Sequence, residues 1–250
     1  MSVGDDFVAT VEIHRPPNNH IDAELVAAVA EAYETLDADP ACRAIVLCSE
    51  GKHFCAGAAL AAESADPAGR LQAAAVYEEA RRMFAAATPV VAAVQGAAVG
   101  GGLGLALSAD FRVASPETRF WANFARLGFH HGFGMTVTLP AVVGQQTALE
   151  LLLTGRRVDG EEARLLGLCD RLAPAEEVRS EARSLAAQIA ASAPLAVRSI
   201  RQTLRGDLAS RIQAATNWEA AEQERLIHTS DFQEGVQAAT ERRTPNFSGR

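Results

Sequence analysis

The sequence predicts an α/β fold with a helical final third. Three observations carry this. Short apolar runs alternate with helical stretches over roughly the first two thirds. A triple glycine, Gly100-Gly101-Gly102, stands between a buried-strand run and an apolar segment, Leu103–Ala109. From Glu176 to about Gln237 the pattern is helical, with charges on one side.

At 250 residues the chain suits one large domain, with or without an appendage. Hydrophobic residues make up 48% and charged residues 22%, which excludes a disordered chain. No apolar run reaches the ~18 residues of a membrane-spanning helix. The N-terminus, MSVGDDFVATVEIH, lacks the basic and apolar regions of a secretion signal, so the cytoplasm is the expected compartment. A net charge of −8 argues against nucleic-acid or anionic-membrane partners. Lys52 is the only lysine among 23 basic residues, which reads as a coding bias toward arginine. Cys42, Cys48, Cys55 and Cys169 show no CxxC and no metal spacing, so they are expected to be reduced, most of them as core fillers.

Phe7–His14 alternates with period two, as a half-buried strand does. Arg15–Asn19 (RPPNN) breaks it. Asp22 can cap a following helix whose face is Ile21, Leu25, Val29, Ala32 and Leu36, and Asp39-Pro40 ends that helix. Ala44–Cys48 is a buried strand, and Ser49–Ala59 is a loop with two glycines. A helix is expected from about Leu71 to Ala86, then strands at Val90–Val94, Phe111–Ala114 and Arg119–Trp121. Glycine clusters at Gly128, Gly132 and Gly134. Helical patterning resumes at Gln145, with a short helix at Gly160–Leu166 and a last short strand at Leu168–Leu172.

Two glycine-rich points follow buried strands: Phe54-Cys55-Ala56-Gly57-Ala58 and the triple glycine. Residues without bulk let backbone N–H groups approach a ligand, and a helix N-terminus adds unpaired donors. Two such donors converging on one oxygen make an oxyanion hole. Tight strand–helix packing explains the triple glycine alone equally well. No GxGxxG is present, so a dinucleotide site is not expected.

The order of several segments resembles the crotonase superfamily, the enoyl-CoA hydratase/isomerase family, over nearly the whole chain. Gly51–Ala58 (GKHFCAGA) is similar to its first oxyanion loop, and Val94–Gly102 (VQGAAVGGG) to its second. Ser108–Arg112, Pro140–Gly144, Leu153–Arg156, Phe232–Val236 and Arg243–Phe247 match later landmarks. The resemblance implies a crotonase-like spiral of ββα units over residues 1–192 and a C-terminal helical oligomerisation region over 193–250. It implies a coenzyme A thioester as substrate, with no separate cofactor or metal, and a homo-trimer or dimer of trimers. By motif position the N–H groups of Ala58 and Gly101 hold the thioester oxygen, with Ala56 and Gly57 beside them.

The departures bear on the reaction. The two positions at which family hydratases carry glutamates hold Gly104 and Phe124. Gly132 stands where isomerases and dehalogenases place an acid, and Ala59 where an aspartate often follows the first loop. General acid/base help is worth typically ~10²–10⁴-fold, so efficient hydration is not expected. His130 and His131 are the nearest titratable candidates, with turn or interface histidines as the alternative reading. An aspartate stands about where His131 is in the dihydroxynaphthoyl-CoA synthase branch, which favours His131 as the base. An unperturbed imidazole titrates near ~6.5. Trp121, Asn123, Phe124 and Arg126 are candidates to line the acyl site. Arg15 and Lys52 are candidates for the CoA phosphates, plain solvation being the alternative. His14, His20, His53 and His228 read as structural. The reading is an enolate-stabilising acyl-CoA enzyme, a lyase or isomerase with the reaction open. Its rivals are an acyl-CoA-binding protein without turnover and an acyl-CoA hydrolase.

Overall fold

The computed structural model describes residues 3–59 and 67–250. A five-stranded parallel sheet runs β1 (Val8–Ile13), β2 (Ala44–Ser49), β3 (Val90–Val94), β5 (Phe111–Ala114), β8 (Arg171–Leu172). A second sheet joins β4 (Ala97–Val99) to β6 (Arg119–Trp121) in parallel, and β6 to β7 (Arg157–Val158) antiparallel. The sequence between β3 and β4 is only Gln95-Gly96, and Gly96 takes φ +64°. That tight turn carries the chain from the first sheet to the second before α3 (Gly101–Ser108) leads back. Cys55, after β2, bridges Ala98 in the same way ahead of α2 (Pro67–Ala85). The result is a spiral of strand, strand, helix.

Every residue of β2 and β3 is buried, as a parallel sheet covered on both faces requires. On one face Val46, Cys48, Val91 and Val113 pack under α7 (Val178–Ala190) through Val178, Ala182 and Ala186. On the other, Ile45, Leu47, Ala92 and Val94 join α1 (Ala23–Ala38), α2 and α3 in the main core. The Asp22 side chain caps α1 by accepting from Leu25 N–H at 2.8 Å, and the expected apolar face of α1 is buried throughout. All four cysteines are free and buried.

The sequence left three elements unread. β4 and β7 span three and two residues, too few for a periodic signal. The helix α4 (Met135–Val143) contains Pro140 and begins after Gly134 at φ +76°, so the glycine cluster masked its start. α5 (Gln145–Thr154) and α6 (Gly160–Leu166) lie as read, whereas α2 begins earlier than expected, at Pro67.

The continuous helical tail breaks into α7, α8 (Pro194–Arg205), α9 (Leu208–Leu226) and α10 (Ser230–Glu241). Gly206 at φ +51° separates α8 from α9. The expected boundary at 192 falls in the link between α7 and α8. α9 returns to the main core through Ile212, which is wholly buried, and packs on α2 and α4. α10 closes on the 3-10 turn Phe124–Leu127, where Gly235 lies against the Leu127 backbone. α8 is turned the other way. Arg198, Arg201 and Arg205 face inward, where Arg201 and Arg205 share Asp110 and also donate to the carbonyls of Ala86, Phe84 and Ser108. Leu195, Ile200 and Leu204 are left on the outside, 82%, 59% and 82% exposed. No described helix is long and apolar enough to cross a membrane.

Candidate active site

Two glycine loops meet at the turn between the sheets. In the first, Cys55 N–H donates to the Ala97 carbonyl at 3.1 Å and the Cys55 carbonyl accepts from Val99 N–H at 3.0 Å. Gly57, at φ +87°, lies so close that a β-carbon there would stand 2.9 Å from the Val99 carbonyl oxygen. The Gly57 carbonyl accepts from Ile21 N–H at 3.0 Å and from His20 Nδ1 at 3.1 Å. A carbonyl only accepts, so His20 carries its proton on Nδ1. In a trans peptide the C=O and the next N–H point in opposite directions. Pinning the Gly57 carbonyl therefore turns the Ala58 N–H away from the scaffold. Ala58 itself is exposed, and its N–H has no protein acceptor among the described residues.

In the second loop, Gly100 N–H donates to the Trp121 carbonyl at 2.8 Å. The Gly100 carbonyl then accepts from Leu103 and Gly104 N–H, starting α3. The N–H of Gly101 falls in the first helical turn, where backbone donors have no intrahelical partner and the dipole is positive. A β-carbon on Gly102 would overlap the Cys55 carbonyl oxygen. Glycine at 57 and 102 is thus what lets the two loops interlock.

The acid positions implied by the resemblance are filled by neighbours. A β-carbon on Gly104 would sit 2.5 Å from Phe133 Cβ. Phe133 is 1% exposed and packs edge-on to Tyr77 with ring centroids 6.5 Å apart. At Gly132 a β-carbon would overlap the Tyr77 hydroxyl, which donates to Gln223 Oε1 at 2.8 Å. Gln223 Nε2 in turn donates to the His130 carbonyl at 2.8 Å. Phe124 lies over Gly100 and meets Phe129 at a tilt, and Phe129 meets Phe232 of α10 edge-on. These contacts put aromatic rings at the acid positions, and the one hydroxyl among them, that of Tyr77, spends its proton on Gln223.

The two histidines stack at 4.1 Å. His130 Nδ1–H donates to the His131 carbonyl at 2.8 Å. His131 Nε2 lies 2.9 Å from Thr136 Oγ, and the Thr136 hydroxyl donates to Glu219 Oε1 at 2.6 Å. Its only proton being spent there, Thr136 accepts from His131 Nε2–H, and Nδ1 keeps a lone pair. Glu219, on α9, is wholly buried and also accepts from Gly134 N–H at 2.8 Å and Thr136 N–H at 3.0 Å. The expectation of titration near 6.5 is corrected. Burial, and then the neighbouring His130, bring His131 down to about 4.

Several expected site residues are engaged elsewhere. Trp121 Nε1–H donates to the Gly155 carbonyl at 2.6 Å, and Arg157 lies over its ring, which ties Trp121 to β7. Arg15 pairs with Asp22 and Glu24 at the start of α1. Arg126 is exposed, its stem against Gly155. Asn123 sits beside Gly100 with its Oδ1 facing that glycine, Ala56 is half-buried in the first loop, and Lys52 is exposed. Burial pushes the Cys55 thiol up to about 12, so it serves as packing. Sequence reasoning missed Tyr77, Thr136, Glu219 and Gln223. All but Thr136 come from α2 or α9, far off in the chain. Among the described residues no His, Cys, Asp and Glu cluster could hold a metal ion.

The spiral of paired strands and helices, with glycine loops meeting between its sheets, defines a crotonase fold. A family model described as Enoyl-CoA hydratase/isomerase matches residues 4–250. The chain is 33% identical over 252 residues to the carnitinyl-CoA dehydratase of Proteus mirabilis, covering 97% of this chain and 95% of that one. It superposes on an enoyl-CoA hydratase/isomerase from Pseudoalteromonas atlantica with TM-score 0.85 and 32% identity, covering 98% and 97%. It superposes on an enoyl-CoA hydratase from Mycobacterium avium subsp. paratuberculosis with TM-score 0.84 and 28% identity, covering 98% and 96%. The chain belongs to the enoyl-CoA hydratase/isomerase family.

The interlock of the loops predicts an outcome. Gly102→Ala should lower unfolding stability by about 1–3 kcal/mol through overpacking against the Cys55 carbonyl. Urea unfolding measures it, and a midpoint equal to wild type would contradict the contact.

Proposed function

We propose that this chain binds an acyl-CoA thioester, holds its carbonyl oxygen between the N–H groups of Ala58 and Gly101, and moves a proton at the acyl chain with His131. The observation that carries the reading is the pair of glycine loops locked so that two backbone donors have no protein acceptor among the described residues. Such donors stabilise the negative charge that develops as a thioester becomes an enolate. The carnitinyl-CoA dehydratase and enoyl-CoA hydratase names of the relatives support a CoA thioester as substrate. Ala56 and Gly57 flank the first donor, Asn123 and Phe124 border the second loop, and Lys52 is left for the CoA phosphates.

His131 is the group suited to the proton. In its neutral form Nδ1 is a base, and Nε2–H is held by Thr136. Gly104, Phe124 and Gly132 have nothing to contribute. That filling of the acid positions also favours a second reading, binding without turnover. Exchange of the α-protons of butyryl-CoA into deuterated water separates the two, because it needs only enolate stabilisation and a base. Wild type should exchange, and His131→Gln should lose about 10²-fold or more while binding the thioester as before. With the His131 pKa depressed to about 4, the base form is present above that value and disappears as the pH falls through it. Exchange should therefore stay level from neutrality to about pH 5 and fall below it. Unaltered exchange in His131→Gln would remove the assignment, and no exchange in wild type would favour the binding reading.

Crotonyl-CoA hydration should be at least about 10²-fold slower than in a relative with both glutamates. Gly104→Glu alone should not restore it, because Phe133 occupies the space. A steady-state assay with a rate matching such a relative, in wild type or variant, would overturn this reading.

The outward apolar face of α8, with its arginines turned inward, supports assembly into a homo-trimer or a dimer of trimers. Light scattering at micromolar concentration should give three or six chains, and a monodisperse monomer would contradict it.

A further inference from the structure

We infer that Thr136 and Glu219 are positioning residues that fix the tautomer of His131, so that Nδ1 is the nitrogen left to accept a proton. The inference rests on the reading of His131 as the base and adds the two residues that make one particular nitrogen basic.

The hydrogen bonds around Glu219 run in one direction. Glu219 is wholly buried and receives three donors: Gly134 N–H, Thr136 N–H and the Thr136 hydroxyl. Two of these are backbone amides, which can only donate. The Thr136 hydroxyl lies 2.6 Å from Glu219 Oε1, so its proton points to the carboxylate and its lone pairs face His131. At 2.9 Å from that oxygen, His131 Nε2 must carry hydrogen. The neutral ring then has its lone pair on Nδ1. The direction is set from the buried end and passes outward through one hydroxyl.

The arrangement is anchored on both sides. Glu219 sits one helical turn before Gln223 on α9, and Gln223 holds the His130 carbonyl. His130 stacks on the His131 ring and donates to the His131 carbonyl. One face of α9 therefore grips the turn from His130 to Thr136 that carries His131. No function read from the sequence absorbed Glu219, and a wholly buried carboxylate needs such a set of donors to persist.

The step is balanced in proton and charge. The Nδ1 lone pair takes an α-proton from the thioester, and the C–H electron pair passes into the enolate, whose oxygen the Ala58 and Gly101 N–H groups hold. His131 becomes an imidazolium, and its Nε2–H still donates to Thr136. The carboxylate of Glu219, whose Oε1 is 3.9 Å from Nε2, offsets the new positive charge. Return of a proton or deuteron from Nδ1 to carbon regenerates the neutral ring. Burial disfavours the imidazolium in the resting protein, and the chain to Glu219 acts on that charge as it forms.

The test uses the full-length protein with ¹⁵N-labelled histidine, the His131 resonance being identified by its absence in His131→Gln. Thr136→Val removes the hydroxyl and keeps the shape and the backbone N–H to Glu219, and Thr136→Ser restores the hydroxyl. In wild type His131 should show the Nε2–H tautomer. Thr136→Val should lose that single tautomer and slow α-proton exchange of butyryl-CoA by about 10–100-fold at unchanged KM. That is less than the ~10⁴ that a wrong tautomer costs where a carboxylate bonds the imidazole directly. Thr136→Ser should recover both. A wild-type Nδ1–H tautomer, or a Thr136→Val variant with wild-type tautomer and exchange, overturns the inference. Wild type with the Nε2–H tautomer, its loss in Thr136→Val, and no exchange at all supports the relay and overturns the catalytic reading of His131.

Discussion

The site depends on one steric contact, that of the Cys55 carbonyl against the start of α3. The carbonyl occupies the space a β-carbon on residue 102 would need. Because Gly102 lacks it, the helix can begin against the first loop. Because Gly57 takes φ +87°, the first loop can turn against Val99. The same bridge between Cys55 and Ala98 also ties the loop that carries Ala58 to the strand that leads into Gly101. Fold and proposed oxyanion hole are products of a single packing arrangement, and neither can be altered without the other.

A second constraint shapes the chemistry. Glycines at 104 and 132 look from the sequence like empty places where acids are missing. In the folded chain they are places where aromatic side chains have moved in, Phe133 at one and Tyr77 at the other. Tyr77, Gln223 and Glu219 link α2 and α9 to the His130–Thr136 turn through hydrogen bonds. The turn that carries the histidine pair is thereby held from two helices. This rearrangement accounts for a proposed base whose proton affinity is lowered by burial and by the neighbouring His130.

The strands of the five-stranded sheet and β6, the capping of α1 and the two glycine loops were legible in the sequence, because each has a local signal: an apolar or alternating run, an Asp22 side chain, or glycine after an apolar run. The glycine loops also keep the order that makes the family resemblance specific. The depressed proton affinity of His131 was not legible, since it comes from packing against distant residues. Glu219 and Gln223 gave no signal on a helix patterned with charges, where a buried glutamate looks like any exposed one. α4 was hidden by the glycines before it and Pro140 within it. The tail showed only a helical pattern with charges on one side, and only the tertiary structure shows that Asp110 draws the arginines of α8 inward.

The central claim is that two backbone amides polarise a thioester carbonyl. Isotope-edited infrared spectroscopy of crotonyl-CoA labelled with ¹³C at the carbonyl reads this directly, and slow hydration leaves time to record it. Donors at Ala58 and Gly101 predict a carbonyl stretch at lower frequency when bound than when free in water, as hydrogen bonding weakens the C=O bond. A bound thioester with its carbonyl stretch unshifted would contradict the account.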